Sequence, residues 1–325
     1  MHSPALLLRS GLTENRHIGA HLRVHPASLI YGLFPPTHPH TPIRPHLGPI
    51  ISTIITETAN LSTGPFNSYG SRIETGYMLP LVGLGQLPWL SAVQFKNYLA
   101  RYENMVGIFS LARDGRRGVG TASTHFDSDD MVDASGYMPE NDGGRVMVGP
   151  STGDPIFSYI LHPCDRDSLV EGLLVAAEVL LTAGATEIVS SIHRVPPYIH
   201  DSSSGIHAPA FREWQRTLRG MASKPGYVQF TTAHQMGTNR MCGVGWEDAD
   251  AAGVGVGPDG NMWRAGGVVD PEGRVYGVEG LWVVDASVLP GASGVNPMLS
   301  VMGVADVIGE RMRSEERRVG KECVP

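Results

Sequence analysis

Glycine and proline are the residues that most restrict the structures open to this chain. The 325 residues include 40 glycines and 24 prolines, about a fifth of the total, against roughly 12% in average proteins. Both residues interrupt helices and central strands, so we expect loops and short strands to outweigh helix. Hydrophobic residues make up 42% and charged residues 18%. This balance argues against disorder over the whole length and favours about two domains with a sizeable core.

The charge and the cysteines exclude several classes of protein. The formal net charge is −7, and nucleic-acid binding needs a basic face, so we predict no nucleic-acid partner. The three cysteines, Cys164, Cys242 and Cys323, have no paired spacing, which argues against a disulfide framework or a zinc module. No signal peptide is visible at the N-terminus, so the sequence predicts an intracellular protein in a reducing compartment.

The longest stretch without a charged residue runs from Thr75 to Phe95. It is long enough to span a bilayer, but prolines and glycines interrupt it, which disfavours a transmembrane helix. Buried loop and strand are the simpler interpretation. The alternative is an apolar lip that meets an apolar substrate or a membrane surface, so peripheral membrane contact remains open.

Hydrophobic periodicity predicts a mixture of helices and short strands. The clearest helix spans Ser168–Ala183, with capping-box spacing at its start and Gly184 at its C-cap. Another helix is predicted with Asn296 at the N-cap and Pro297 at the first helical position. Its apolar stripe comprises Met298, Val301, Ala305, Ile308 and Met312. A short helix is predicted at 3–10, an amphipathic piece at 211–218, and strands at 50–56, 105–111, 145–148, 268–270, 274–276 and 281–285.

Six of the 13 histidines lie between residues 17 and 46. His17, His21 and His25 are four residues apart, and on a helix they would share a face that could hold a metal ion. Gly19 weakens such a helix, and no cysteine or carboxylate cluster completes a ligand set. We therefore predict solvated or hydrogen-bonded histidines and no metal site.

Three common catalytic or phosphate-binding patterns fail. The spaced glycines at 253–260 follow polar sequence and precede no helix, so they do not form a dinucleotide-binding turn. Residues 149–153 lack the lysine of a phosphate-binding loop, and no Gly-x-Ser-x-Gly elbow stands at a strand-to-helix turn. The chemistry must lie elsewhere.

Two C-terminal segments carry the most specific pattern. Thr232–Met241 reads T-A-H-Q-M-G-T-N-R-M, and Val283–Met298 reads V-V-D-A-S-V-L-P-G-A-S-G-V-N-P-M. Together they resemble the C-terminal signature of the glucose-methanol-choline (GMC) family of FAD-dependent oxidoreductases. Residues 3–11 and 17–26 resemble an earlier signature of that family, so the resemblance extends to about Arg313. Within the family, the pattern looks most like the long-chain (fatty) alcohol oxidases.

The resemblance implies an α+β fold derived from an α/β parent. It implies a substrate-binding domain with a mainly antiparallel sheet plus helices, and the C-terminal part of a Rossmann-like FAD domain. The implied boundaries are 1–45 for a remnant of the FAD-binding domain and connection, 46–225 for the substrate-binding domain, and 226–313 for the GMC C-terminal segment, with 314–325 unassigned. The family's opening Gly-x-Gly-x-x-Gly motif is missing, so we expect a C-terminal fragment that lacks most of the FAD contacts.

The residue chemistry supports this resemblance independently. Oxidation of an alcohol by hydride transfer needs a base for the hydroxyl proton, and histidine suits that role near neutral pH. No side chain accepts a hydride reversibly, so a cofactor must, and the resemblance implies FAD. We predict that His234 is the general base and that Asn296 holds the substrate oxygen. The predicted cofactor-binding residues are Asp285, Ala286, Asn296, Pro297 and Met298.

The expected reaction is oxidation of a primary, long-chain alcohol to its aldehyde, with O2 reduced to H2O2. The expected partners are an apolar alcohol and O2, and the oligomeric state is left open. Alternatives are a GMC oxidoreductase for a sterol or a sugar, and an inactive fragment without its FAD domain. Considered by itself, His234 is more simply interpreted as a buried, hydrogen-bonded histidine. Considered by itself, Asn296 is fully explained as a helix cap. Asn239 and Cys242-Gly243 depart from the family's usual Cys-x-Met-Gly text around the histidine.

Overall fold

The computed structural model divides the chain into two compact units. The first comprises Met1–Val24, Asp114–Ile160 and Ala233–Pro325, and the second comprises His25–Arg113 and Leu161–Thr232. The boundaries predicted from the sequence follow the order of the chain and remain predictions. The residues that the structure describes are 1–47, 51, 53–59, 70–76, 79–114, 144–201, 205–243, 255–256, 262–263 and 266–322.

Helices and short runs of strands are interspersed along the described residues. The helices are α1 (His2–Arg9), α2 (Pro80–Leu84), α3 (Ala92–Ala100), α4 (Pro163–Thr182), α5 (Pro209–Ala222) and α6 (Met298–Glu322). The strands are β1 (Ala27–Leu33), β2 (Ile54–Ile55), β3 (Ser71–Gly76), β4 (Met105–Ala112), β5 (Arg145–Val148), β6 (Pro155–Ser158), β7 (Glu187–Ser190), β8 (Tyr198–Ile199), β9 (Gly255–Val256) and β10 (Met262–Trp263). None of the helices in these residues is long and apolar enough to cross a membrane.

The second unit is built on a six-stranded sheet in the order β2-β3-β4-β1-β7-β8. Every neighbouring pair is antiparallel, which confirms the mainly antiparallel sheet and the α+β class. All residues of the central strand β1 are buried. Because side chains alternate between the two faces of a strand, Ile30 packs with α4 and α5, whereas Leu29 and Tyr31 belong to the core on the opposite face.

Helix α4 begins at Pro163, so the start predicted at Ser168 was wrong. The helix is capped by an imidazole, because Nδ1 of His162 accepts a hydrogen bond from the backbone N–H of Cys164 at 3.2 Å. The hydroxyl of Ser168 donates to the carbonyl oxygen of Cys164 inside the helix. The predicted end was correct to within one residue: the helix ends at Thr182 with Ala183 at the C-cap, and Gly184 follows with φ +101°, a conformation that favours glycine.

The opposite face of the sheet is covered by α2 and α3. Leu84, Tyr98 and Tyr102 are buried against Leu29 and Tyr31 of β1. Each helix therefore contributes one buried side to the core. Helix α5 is longer than the predicted piece at 211–218, and its aromatic side chains pack in the core that α4 covers.

The first unit holds α1 and α6 around a small core that includes Leu7, Ile18, Val269 and Ile308. The β5–β6 hairpin contributes Val146 to a separate cluster with Leu22 and Val24. The strands predicted at 268–270, 274–276 and 281–285 are only isolated bridges, such as Val269 with Val275. Glycine turns with positive φ at 273, 277 and 280 separate these short runs, so no ladder extends. Of the strand predicted at 50–56, residues 50 and 52 lie outside the described residues, and among the others only the two residues of β2 form a strand.

The histidine-rich N-terminal segment is not helical at residues 17–21. His21 has a φ of +60°, and Nδ1 of His17 lies 2.8 Å from Nε2 of His21, with the two rings stacked. Both side chains are buried, which agrees with the hydrogen-bonded interpretation. Within the described ranges, no group of three or more potential metal ligands comes together.

Candidate active site

His234 lies in the first unit, on an irregular segment whose path is fixed by backbone contacts. Two residues later, Met236 exchanges two backbone hydrogen bonds with Arg23, at 2.8 and 2.9 Å. The following Gly237 has a φ of +86°, and a Cβ atom there would collide with the carbonyl oxygen of His21. Only glycine fits this position, so the Gly237 of the motif has a structural reason.

The environment of His234 favours the neutral form of its imidazole. The side chain is half-buried, and burial lowers the pKa of His234 below the ordinary value of 6.5. Loss of hydration disfavours the charged form of an imidazole, which explains the direction. A neutral imidazole can accept a proton, so the state that the structure favours is the one a general base needs.

The two motif segments are joined at Asn239 and Ser287. The backbone N–H of Asn239 donates to the carbonyl oxygen of Ser287 at 2.9 Å. The side-chain Nδ2 of Asn239 donates to the hydroxyl of Ser287 at 3.0 Å. Two residues further, Met241 N–H donates to Val288 O at 2.8 Å. Hydrogen bonds from Asn239 and Met241 to Ser287 and Val288 thus join the segment of His234 to that of Asp285.

Sequence reasoning noted Asn239 only as a departure from the family text, and it quoted Ser287 within the second motif segment without assigning it a role. Asn239 is fully buried, and a buried amide side chain is almost always hydrogen-bonded. A polar residue between the glycine and the methionine of the motif was the available signal. Its partner lies 48 residues away, where no periodic pattern could locate it.

Asp285 and Ala286 lie at the start of a short 3₁₀ helix, Ala286–Val288. The Asp285 carboxylate caps this turn, since Oδ1 accepts the backbone N–H of Ser287 at 2.7 Å. Asp285 is exposed and Ala286 is half-buried. The carboxylate is therefore held in one orientation by the turn that follows it, while its side chain remains accessible.

A small apolar cluster brings the predicted site residues into one region of the unit. Its buried members are Met236, Leu289 and Ala292. Ala286 from the second motif and Val301 from the first turn of α6 pack against it. The segments that carry His234, Asp285 and Asn296 consequently share one core.

The start of α6 differs by one residue from the prediction. The helix begins at Met298, and the N–H of Val301 donates to the carbonyl oxygen of Pro297 at 2.8 Å. Pro297 therefore takes the N-cap position that the sequence assigned to Asn296. Asn296 and Met298 are exposed, whereas Pro297 is buried. The free N–H groups of the first turn still point past this end of the helix.

The accessible groups in these segments fit a flavin cofactor. Asp285 offers a carboxylate for sugar-like hydroxyls, and Asn296 offers an amide beside a helix N-terminus that favours negative charge. Val295 and Met298 add exposed apolar surface to the same stretch, as a flat heteroaromatic ring requires. The chemistry of this set suits the ring and its polyol chain.

Comparison with known proteins agrees with this geometry. Residues 256–305 match the family model described as GMC oxidoreductase. Two long-chain-alcohol oxidases of Arabidopsis thaliana are 30% and 27% identical, each over 95% of this chain and 35% of their own length. An uncharacterized GMC-type oxidoreductase of Mycobacterium tuberculosis (strain CDC 1551 / Oshkosh) is 26% identical over 95% of this chain and 38% of its own.

Solved structures show the same fold. A formate oxidase aligns with a TM-score of 0.56 at 15% identity, over 98% of this chain and 53% of its own. A variant of the formate oxidase of Aspergillus oryzae RIB40, prepared to examine FAD modification, aligns with a TM-score of 0.52 at 15% identity, over 94% and 48%. The chain spans about a third of the length of the curated relatives it matches. In sequence and in fold, it is similar to the C-terminal part of GMC oxidoreductases.

Proposed function

We propose that this chain provides the catalytic base and part of the flavin site of an FAD-dependent oxidase that converts primary long-chain alcohols to aldehydes. The observation that carries the proposal is the half-buried His234 on a segment hydrogen-bonded to that of Asp285, where burial lowers the pKa of the imidazole. The similarity to long-chain-alcohol oxidases supports the substrate class. Bound FAD would supply the two-electron oxidising capacity of the reaction, with O2 as the final acceptor and H2O2 as its product.

The residues of the chain would act on the alcohol in distinct ways. His234 would accept the hydroxyl proton, which raises the electron density on the oxygen as the hydride leaves the adjacent carbon. The Asn296 amide would hold the same oxygen by hydrogen bonding. Asp285 would bind hydroxyl groups of the cofactor, and the first turn of α6 would favour negative charge near Asn296.

Substitution of His234 tests this assignment in the protein expressed from its complete coding sequence. We expect His234→Gln to lower kcat roughly a hundred- to ten-thousand-fold, the usual contribution of a general base, while the flavin absorbance is retained. His207→Gln, at an exposed histidine, is the matched control and should leave kcat unchanged. Peroxide release from dodecanol or hexadecanol provides the readout.

The dependence of activity on pH is a second, independent test of the role of His234. A base must be unprotonated, so wild-type activity should decline as the pH falls below about 6.5, and His234→Gln should lose this limb. An unchanged rate and an unchanged acid limb in His234→Gln would show that another group is the base. Turnover of sterols or sugars without turnover of long-chain alcohols would keep the role of His234 and refute the substrate class. No turnover of any alcohol would favour the inactive fragment.

A further inference from the structure

Six large apolar side chains on the second unit lie in water on one short stretch of chain. They come from α2, α3 and the loop between them, and each is between 55% and 79% exposed. We call them the apolar surface: Leu79, Leu81, Val82, Trp89, Leu90 and Val93. Isolated exposed apolar residues are ordinary, but six of them on one segment of 15 residues suggest an interaction site.

Core packing and a helix cap fix the segment that carries the apolar surface. Leu84 of α2 and Tyr98 of α3 are buried in the core beneath β1. Ser91 caps α3, since its hydroxyl accepts the N–H of Gln94 at 3.1 Å. The rings of Trp89 and Phe95 lie 5.4 Å apart, and Phe95 packs partly into the same core. The exposed side chains therefore lie on helices whose opposite sides are packed in the core.

The charges around this surface suit an anionic partner. Between Glu74 and Glu103 the only charged residues are Lys96 and Arg101, both cationic, although the whole chain carries −7. Lys96 is exposed on α3, whereas Arg101 is paired with Glu187 at 2.7 Å. An uncharged surface with a lysine at its border and an exposed tryptophan has the composition of a segment that lies in a membrane interface.

We propose that the apolar surface docks this protein on an anionic lipid bilayer. Leu81, Trp89 and Leu90 would enter the boundary between headgroups and acyl chains, and Lys96 would meet lipid phosphates or carboxylates. A second copy of the chain fits less well, because the segment contributes no acidic residue that could pair with Lys96 across a two-fold contact. The proposal does not depend on the proposed activity.

Vesicle sedimentation tests the proposal on the protein expressed from its complete coding sequence. Wild type should bind vesicles of phosphatidylcholine and phosphatidylserine in roughly a 7:3 ratio. Leu81→Ser combined with Trp89→Ser should lower the partition coefficient at least tenfold, or about 1.4 kcal/mol. The matched control combines Ile54→Ser with Ile199→Ser, two exposed apolar residues elsewhere on the second unit. It should bind like wild type.

A charge variant decides the matter even if the double serine variant fails to fold. Lys96→Glu should weaken binding to the anionic vesicles by roughly tenfold and leave binding to pure phosphatidylcholine unchanged. Failure of the wild type to sediment with either kind of vesicle would overturn the proposal. So would equal losses in the two serine pairs, or a wild-type dimer that the apolar-surface pair dissociates without vesicle binding.

Discussion

Removal of the Asn239 side chain should destabilise the first unit, because this amide joins the two motif segments. Asn239→Ala deletes the 3.0 Å bond to the Ser287 hydroxyl. It also leaves a cavity at a position with 0% exposure. A lost buried hydrogen bond with an unsatisfied partner costs about 1–3 kcal/mol, and the truncated atoms add a cavity term.

One opposing effect reduces this loss. Oδ1 of Asn239 is buried without a hydrogen-bond partner among the described residues, and that oxygen already destabilises the native state. Alanine removes the oxygen together with the donor. The Ser287 hydroxyl also retains the hydroxyl of Ser3, 3.3 Å away. We therefore expect a net loss of about 2 kcal/mol in the free energy of unfolding.

Urea unfolding followed by fluorescence measures this loss. The matched control is Asn97→Ala on the exposed side of α3, which should change the free energy of unfolding by less than about 0.5 kcal/mol. A double-mutant cycle with Ser287→Ala should give a coupling energy of about 1 kcal/mol, since the two side chains share one bond.

The same data can refute the reasoning. Equal stabilities of Asn239→Ala and Asn97→Ala would show that the bond to Ser287 adds nothing. A coupling energy near zero would show that any loss comes from the cavity alone. In either case the backbone bonds of Asn239 and Met241 would suffice to hold the two segments together.

Two further predictions concern the turn and the base. Gly237→Ala should cost at least about 3 kcal/mol, because the new Cβ meets the backbone of His21, whereas Gly277→Ala, with φ +78° and open space, should cost about 1–2 kcal/mol; thermal unfolding compares them. The pKa of His234 is lowered in the folded state, so the unfolded chain binds more protons below about pH 6.5 and stability falls as the pH drops through that range. His234→Gln should flatten this fall in urea titrations at about pH 7.5 and about pH 5, and an unchanged slope would contradict the burial argument.

The sequence predicted the long helices because their apolar spacing is independent of the rest of the fold. The end of α4 shortly before Gly184 follows from local backbone preference, and so does the start of α6; each was predicted to within one residue. The start of α4 was missed because His162 is an unusual cap and the capping-box spacing at Ser168 occurs inside the helix. The short strands predicted between residues 268 and 285 did not form, because a strand needs a partner and periodicity alone does not show one.

The chemistry of the candidate site was readable from the motif, but its assembly was not. His234, Asp285 and Asn296 stand out as residue types that suit proton transfer and flavin binding. Their shared core depends on Met236 and Val301, which are ordinary apolar residues in the sequence. Contacts between segments some fifty residues apart are decided by tertiary packing, and a single sequence carries no direct record of them.

In the first turns of α6, the apolar stripe predicted from the sequence is not buried throughout. Ile308 of the predicted stripe is buried, but Met298 is 68% exposed, and Leu299 and Met302 are exposed beside it. A helix that is apolar on more than one side normally has more than one neighbour. The chain covers only about a third of its relatives' length, and under the proposed function the flavin and its remaining protein contacts would lie at this end of α6. Exposed methionine and leucine here are therefore expected of a cofactor site, whereas the same exposure at Ile308 would have contradicted it.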